Sequence, residues 1–293
     1  MAEKQYNKGE VIFREGDAGT SFFQIESGKV AVIANSGKDD ETILTSLTAG
    51  DFFGEMAAVE GSRRSATIVA TENTVVTEIP QKEIDTYFTE QPEKIMELMK
   101  HLSKRIRELT NDYNEVTAAL KAIDPAGSVK KNESLFEKIK KFLAGNNASK
   151  QTFQEEQEAD LSKGFSVKVE ALPKGTIIFK EGDPGTCMYD IHFGRVGIYT
   201  GYGTADEKML TDLYANQFFG EMGMIEGEPR SATAVALENE TVLETIYPED
   251  LAELMTKNPM KVDAILRFLS RRLRRLTYDY TEASRKLFDA YTA

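Results

Sequence analysis

The stretch FGEMAAVEGSRRSAT, Phe53 to Thr67, returns as FGEMGMIEGEPRSAT, Phe219 to Thr233, with ten of fifteen positions identical. Each copy sets a glutamate (Glu55, Glu221) nine residues before an arginine (Arg64, Arg230). Gly54 and Gly220 let the backbone turn tightly after a strand. The residues that follow, Met56-Ala57-Ala58 and Met222-Gly223-Met224, suit a short helical turn whose outward N–H groups attract an anion. A guanidinium is the side chain best matched to two phosphate oxygens at once. Ser65 and Ser231 add hydroxyls, and Ala66 and Ala232 lead toward the next strand. A carboxylate repels a phosphate, so Glu55 and Glu221 call for a donor such as a sugar hydroxyl. An anion cradle beside a hydroxyl acceptor describes a ribose phosphate.

The elements around this pair repeat as well. KGEVIFREGD at 8–17 becomes KGTIIFKEGD at 174–183, again 166 residues on, which marks a duplicated domain rather than a short-repeat solenoid. Each copy opens with apolar runs broken by turn residues, such as Val11-Ile12-Phe13 before Gly16-Asp17 and Ile177-Ile178-Phe179 before Gly182-Asp183. Short strands in hairpins at this spacing predict a sandwich or roll. The pattern turns helical after Pro92 and Pro259, residues tolerated in a first helical turn. Leu102, Ile106, Leu109, Tyr113, Val116 and Leu120 form an a/d seam, and Leu269, Leu273, Leu276, Tyr280, Ala283 and Leu287 repeat it. The seams could pair with each other, pair across a homodimer, or lie against their own rolls.

These signals predict domains at 1–121 and 166–293 joined by a helical linker at 122–165. The linker holds Asp124-Pro125-Ala126-Gly127, an amphipathic stretch from Glu133 to Leu143, and a polar run from Gly145 to Asp160. Leu135, Phe136, Ile139, Phe142 and Leu143 share one face, which suits docking on a neighbouring domain better than a membrane surface.

The chain of 293 residues is long enough for two such cores. A net charge of −12 argues against nucleic acid as the main partner. No apolar run reaches membrane-span length, and MAEKQYNKGEVIF does not resemble a signal peptide. One cysteine, Cys187, fits a reducing cytoplasm. It reads as a small buried hydrophobe. His101 and His192 stand apart from any metal-ligand spacing, and no nucleophile cluster appears, so neither a metal nor a catalyst is expected. Arg271, Arg272, Arg274 and Arg275 read as a solvated helix face.

The repeated motif resembles the phosphate-binding cassette of the cyclic nucleotide-binding domain family, F-G-E-x-A/G followed by G-x-x-R and a small residue before A-T. That family includes the catabolite activator protein and the regulatory subunits of cyclic-AMP-dependent protein kinase. The resemblance implies an α+β, mainly β architecture: two eight-stranded, jelly-roll-like β-rolls, each followed by a long C-terminal helix. It implies that Glu55 and Glu221 accept from the ribose 2′-hydroxyl of a 3′,5′-cyclic nucleotide and that Arg64 and Arg230 bind its phosphate. Amides at Ala57, Ala58, Gly223 and Met224, with Ser65 and Ser231, would complete each cradle. Pro229 before Arg230 makes the second cassette the more typical, since Arg63 holds that place in the first. Serine after both arginines leaves cyclic AMP and cyclic GMP open, with a modest lean to cyclic AMP. Tyr113 and Tyr280 are candidate base lids, though their seam positions favour packing.

Only Phe288 to Ala293 follows the second seam, too little for a helix-turn-helix, so DNA binding in that manner is not expected. The function expected is a non-enzymatic cyclic nucleotide receptor that signals by helix rearrangement to an unidentified effector protein. The alternatives are a subunit inhibiting a kinase-like enzyme, or a dimerisation scaffold with vestigial sites.

Overall fold

The turn-separated apolar runs form strands throughout the computed structural model, which describes residues 1–34, 36–37, 42–123, 132–145 and 168–292. The first roll contains β1 (Ala2–Tyr6), β2 (Val11–Phe13), β3 (Ser21–Ser27), β4 (Lys29–Ala34), β5 (Thr42–Thr48), β6 (Phe52–Phe53), β7 (Thr67–Ala70) and β8 (Thr74–Pro80). They make two four-stranded antiparallel sheets, ordered β1-β8-β3-β6 and β2-β7-β4-β5. The second roll repeats this with β9 (Val169–Leu172), β10 (Ile177–Phe179), β11 (Met188–Phe193), β12 (Arg195–Thr200), β13 (Lys208–Tyr214), β14 (Phe218–Phe219), β15 (Thr233–Ala236) and β16 (Thr241–Ile246). Its sheets run β14-β11-β16-β9 and β10-β15-β12-β13. Two eight-stranded rolls are therefore present, as the duplicated pattern requires.

Alternation along the strands sends one face of each sheet inward. Phe23, Ile25, Val30, Phe53, Ile68 and Val76 fill the first roll. Ile191, Val196, Phe219, Ala234 and Leu243 fill the second. Between β6 and β7 lies the short helix α1 (Glu55–Glu60), and after β8 come α2 (Ile84–Glu90) and the long α3 (Glu93–Lys121). Then follow α4 (Glu133–Gly145), the second roll's short helix α5 (Glu221–Glu226), α6 (Asp250–Lys257) and α7 (Pro259–Thr292). Both long helices begin at the expected prolines: α3 directly after Pro92, α7 on Pro259.

The chain folds as two compact units. One holds the described residues of 1–87, 104–153 and 269–293, the other those of 88–103 and 154–268. Each long helix thus contributes its first turns to the second unit and its later turns to the first. In the first unit Val116 of α3 and Tyr280, Ala283 and Leu287 of α7 close a core around Leu135, Phe136 and Ile139 of α4. Phe142 packs on Tyr280 with ring centroids 4.1 Å apart, and Phe136 stacks on Phe288 at 5.3 Å. Lys138 pairs with Asp112 at 2.7 Å and Glu115 at 2.9 Å. The apolar face of α4 is buried in protein, and the later turns of the two seams meet within one chain. Tyr280 is a core residue here, and Tyr113 packs at the edge of the same cluster. Asp124-Pro125-Ala126-Gly127 and the polar run after Gly145 lie outside the described residues. Among the described residues, no helix is long and apolar enough to cross a membrane.

Candidate functional site

Each short helix sits where the sequence places its Glu–Arg pair. Gly54, which precedes α1, has φ 74°, and a Cβ there would stand 2.6 Å from Arg64 Nη1. Glycine is required twice over, for the left-handed backbone and for the passing guanidinium. Gly220 repeats this with φ 75° and a gap of 2.8 Å to Arg230 Nη1.

Both arginines are buried, at 6% and 5% exposure, as are Glu55 and Glu221 at 2% each. Arg64 donates from Nη1 to the Gly54 carbonyl at 2.7 Å and from Nη2 to the Ser21 carbonyl at 2.6 Å. Its guanidinium lies 4.1 Å over the Phe13 ring, a cation–π contact that holds a buried charge without neutralising it. Arg230 donates from Nη1 to the Gly220 carbonyl at 2.6 Å, lies 4.3 Å over Phe179, and turns Nη2 toward Cys187 Sγ at 3.5 Å. The Nε of each arginine is buried without a hydrogen-bond partner. Burial pushes the Arg64 guanidinium below its ordinary range, an effect that Glu55 and Asp17 oppose.

The E-G-D turns explain their own repetition. Gly16 donates to the Arg64 carbonyl and Arg64 N to the Asp17 carbonyl, both at 2.9 Å. Gly182 and Asp183 grip Arg230 in the same way, both at 2.8 Å. Asp17 also accepts from the Arg14 amide at 2.8 Å, which closes the turn. Each turn therefore fixes the backbone of its arginine, while the glycine carbonyl fixes the side chain.

The other expected site residues gather here too. Ala57, Ala58 and Ala66 are buried, as are Met224 and Ala232, while Met56 and Met222 are half-buried. Ser65 and Ser231 are exposed. The Ala58 amide reaches back to the Gly54 carbonyl at 3.3 Å, and that of Met224 to Gly220 at 3.4 Å, so neither points wholly outward. Gly223 is packed against Gly185, so tightly that a Cβ on Gly185 would lie 2.5 Å from Gly223 Cα. Gly19 has the same relation to Ala57, with a gap of 2.2 Å to its Cβ.

Several participants carry no local signal. Arg105 of α3 donates from Nη1 to Glu55 Oε1 at 3.2 Å, across 50 residues of sequence. In the first unit, Glu60 at the end of α1 takes Ser270 and Arg274 of α7, the latter at 2.6 Å, and Arg274 also donates to Ser62 at 2.7 Å. In the second unit, Ser103 of α3 donates to Glu226, the last residue of α5, at 2.5 Å. The expected solvated face of α7 is thus corrected at Arg274, whose side chain is only 16% exposed because Glu60 holds it. Cys187 is buried, as expected, but it lies against the cassette arginine rather than in a plain apolar core.

Paired β-rolls, each with a buried Glu–Arg cassette between its sixth and seventh strands, define a duplicated small-ligand module. The family model described as cyclic nucleotide-binding domain matches residues 3–91 and 169–258, and the chain belongs to that family. The cAMP-dependent protein kinase regulatory subunit of Blastocladiella emersonii is 24% identical over 233 residues, covering 80% of this chain and 47% of that protein. The cGMP-dependent protein kinase 2 of Homo sapiens is 35% identical over 108 residues, 36% of this chain and 14% of that protein. This chain therefore spans about half or less of the length of these curated relatives. The regulatory domain of Toxoplasma gondii PKA, solved with cAMP, is 18% identical with a TM-score of 0.29, covering 90% of this chain and 83% of that one.

Proposed function

We propose that this chain is a non-enzymatic receptor for a 3′,5′-cyclic nucleotide, with one site in each cassette, and that it signals through α3 and α7 to a protein effector. The observation that carries the reading is the buried Glu–Arg pair present in both cassettes, each arginine with an unsatisfied Nε. A buried cation with spare donors is what a cyclic phosphate satisfies. Arg64 and Arg230 take the phosphate, and Glu55 and Glu221 take the ribose 2′-hydroxyl. The Gly54–Ala58 and Gly220–Met224 segments, with Ser65-Ala66 and Ser231-Ala232, form the walls. Residues 1–121 and 166–293 are the binding domains, with 122–165 between them.

Signalling is supported by the contacts of the two short helices. Glu60 closes α1 and is held by α7, the helix that follows the other roll. Glu226 closes α5 and is held by α3. A ligand that repositions a short helix therefore acts on the long helix of the opposite copy. It shifts that helix only by its differential affinity for the two arrangements. The Arg105–Glu55 pair adds a direct link from α3 to the ribose carboxylate.

Calorimetry of the chain, stripped of nucleotide by unfolding and refolding, tests the reading with cyclic AMP and cyclic GMP in turn. Saturable binding is expected, and the same titrations give base preference and stoichiometry. Flat traces from folded protein overturn it in favour of a scaffold with vestigial sites. A regulatory subunit matching 80% of this chain favours a second reading, in which the effector is a kinase-like enzyme that the chain restrains. Phosphotransferase activity that co-purifies and is released by cyclic nucleotide selects that reading.

A further inference from the structure

Away from both cassettes, four ionisable side chains meet inside the second unit. Asp190 and His192 project from β11, Glu244 from β16 and Lys261 from the first turn of α7. Lys261 is 2% exposed, pairs with Asp190 at 2.9 Å and contacts Glu244. His192 Nε2 lies 2.7 Å from Glu244 Oε2 and 3.5 Å from Asp190 Oδ2. A side-chain nitrogen or oxygen from each of Asp190, His192 and Glu244 falls within 4.8 Å of the others, and the Lys261 ammonium pairs with both carboxylates. Sequence separation hides the group, since Asp190 and Lys261 stand 71 residues apart.

Among the described residues, the first roll does not repeat this charged group at the equivalent positions. Asp190 pairs in register with Glu244, and the equivalent register pair in the first roll is Gln24 with Thr77. Gln24 accepts from Tyr87 Oη at 2.8 Å, and Thr77 donates to Glu26 at 2.6 Å. Lys94, which sits in α3 as Lys261 sits in α7, pairs with Glu97 of its own helix at 2.8 Å. Gln24, Thr77 and Lys94 each turn to a different partner, whereas the four charges of the second roll meet one another.

We propose that Asp190, His192, Glu244 and Lys261 form a proton-set latch that fixes the first turns of α7 on the second roll. With His192 protonated, two carboxylates face two cations and the buried group is neutral overall. Without that proton, Asp190 and Glu244 share the single cation Lys261, and the group is left with a net negative charge that burial makes costly. The groups facing His192 are Asp190 on its own strand, Glu244 on the neighbouring strand and Lys261 on the helix. Hydrogen bonds to Asp190 and Glu244 push the imidazole up to about 9, against burial and against Lys261. Burial alone would raise the Asp190 carboxyl, but His192 and Lys261 hold it below its ordinary range. The latch is therefore shut at neutral pH and loosens in alkali. The inference is independent of ligand binding.

Nuclear magnetic resonance of the intact chain tests it, because the sequence has two histidines and the His192 ring is readily assigned. Imidazole signals and the methyls of Val262 and Ile265 would be followed from about pH 7.5 to about pH 10. The α7 methyls are expected to move with the midpoint of His192, while those of Ile25 and Val30 in the first roll stay still. In His192→Gln the α7 methyls should be pH-invariant. Asp190→Asn keeps the ring but removes a carboxylate, and both midpoints should fall together toward the ordinary histidine value. Methyls that are still in the wild type, or that move equally in His192→Gln, overturn the latch. So does a His192 midpoint that falls in Asp190→Asn while the methyl midpoint does not.

Discussion

The two cassettes hold the same arginine by different means. Arg64 is tied to two backbone carbonyls, Gly54 and Ser21. Arg230 is tied to one carbonyl and turns its other nitrogen toward the Cys187 thiol. What the copies share is what a buried guanidinium cannot do without: the glycine carbonyl, the aromatic face of Phe13 or Phe179, and the E-G-D turn on its backbone. What they do not share is the secondary anchor. The same division appears at one register pair of each roll, where Gln24 and Thr77 turn to separate partners and Asp190 and Glu244 join one charged group. Duplication has kept the buried glutamate and arginine with their glycine and aromatic supports, and let the secondary anchors diverge.

The largest test of this comparison removes the arginines singly. Each of Arg64→Ala and Arg230→Ala should lose binding at its own site by roughly 100-fold or more, since charge-assisted hydrogen bonds are among the strongest a site offers. Calorimetry should then read one site where two were present. Two intact sites in either variant would break the assignment of the cassettes.

The next test separates the units by stability. Ile139 is fully buried between α3 and α7 in the first unit. Ile139→Ala should cost about 2–5 kcal/mol there, the usual range for such a cavity. Hydrogen exchange should show the loss in α4 and the later turns of α3 and α7, with the second roll unchanged. Uniform loss across both rolls would mean that the units do not unfold separately.

Much of this was legible in the sequence, and the reasons differ by element. Glu55, Arg64 and their copies could be read because duplication exposes them against a background that has drifted. The strands and both proline-started helices followed from turn residues and seam periodicity. Three features were out of reach. Arg105 meets Glu55, and Ser270 meets Glu60, only through tertiary placement, so no local pattern marks them. The His192 group joins two strands and a helix, and its histidine looks isolated until the strands are paired. Gly19 and Gly185 are the exception, since a glycine kept at the same place after both E-G-D turns is a signal of close backbone approach.

A pH series sharpens the comparison further. His192 has its folded value raised to about 9 against an ordinary 6.5, so its stabilisation is complete below the lower value and lost as pH rises through the upper one. The ring is partly exposed, and solvent screening reduces the effect to roughly 1–2 kcal/mol. The first unit's Lys138 is also raised by its partners, but from 10.5, so its contribution persists across that window. Exchange protection in the second roll should therefore fall between neutral and mildly alkaline pH while that around α4 holds. Equal loss in both would place the sensitivity elsewhere.

The smallest effect asks whether the unequal anchoring of the arginines matters energetically. A neutral thiol is a weak acceptor, and 3.5 Å is long for any donor but one meeting sulfur. Cys187→Ala removes the sulfur but leaves the Gly220 carbonyl, the Phe179 face and the turn on the Arg230 backbone. Affinity at the second site should then change by less than about threefold, within the ~0.6 kcal/mol of a weak contact, and the first site should not change. A loss of tenfold or more at the second site would make the thiol a true anchor. Arg230 would then be held as firmly as Arg64, by chemistry in place of backbone, and the difference between the cassettes would be one of parts and not of strength.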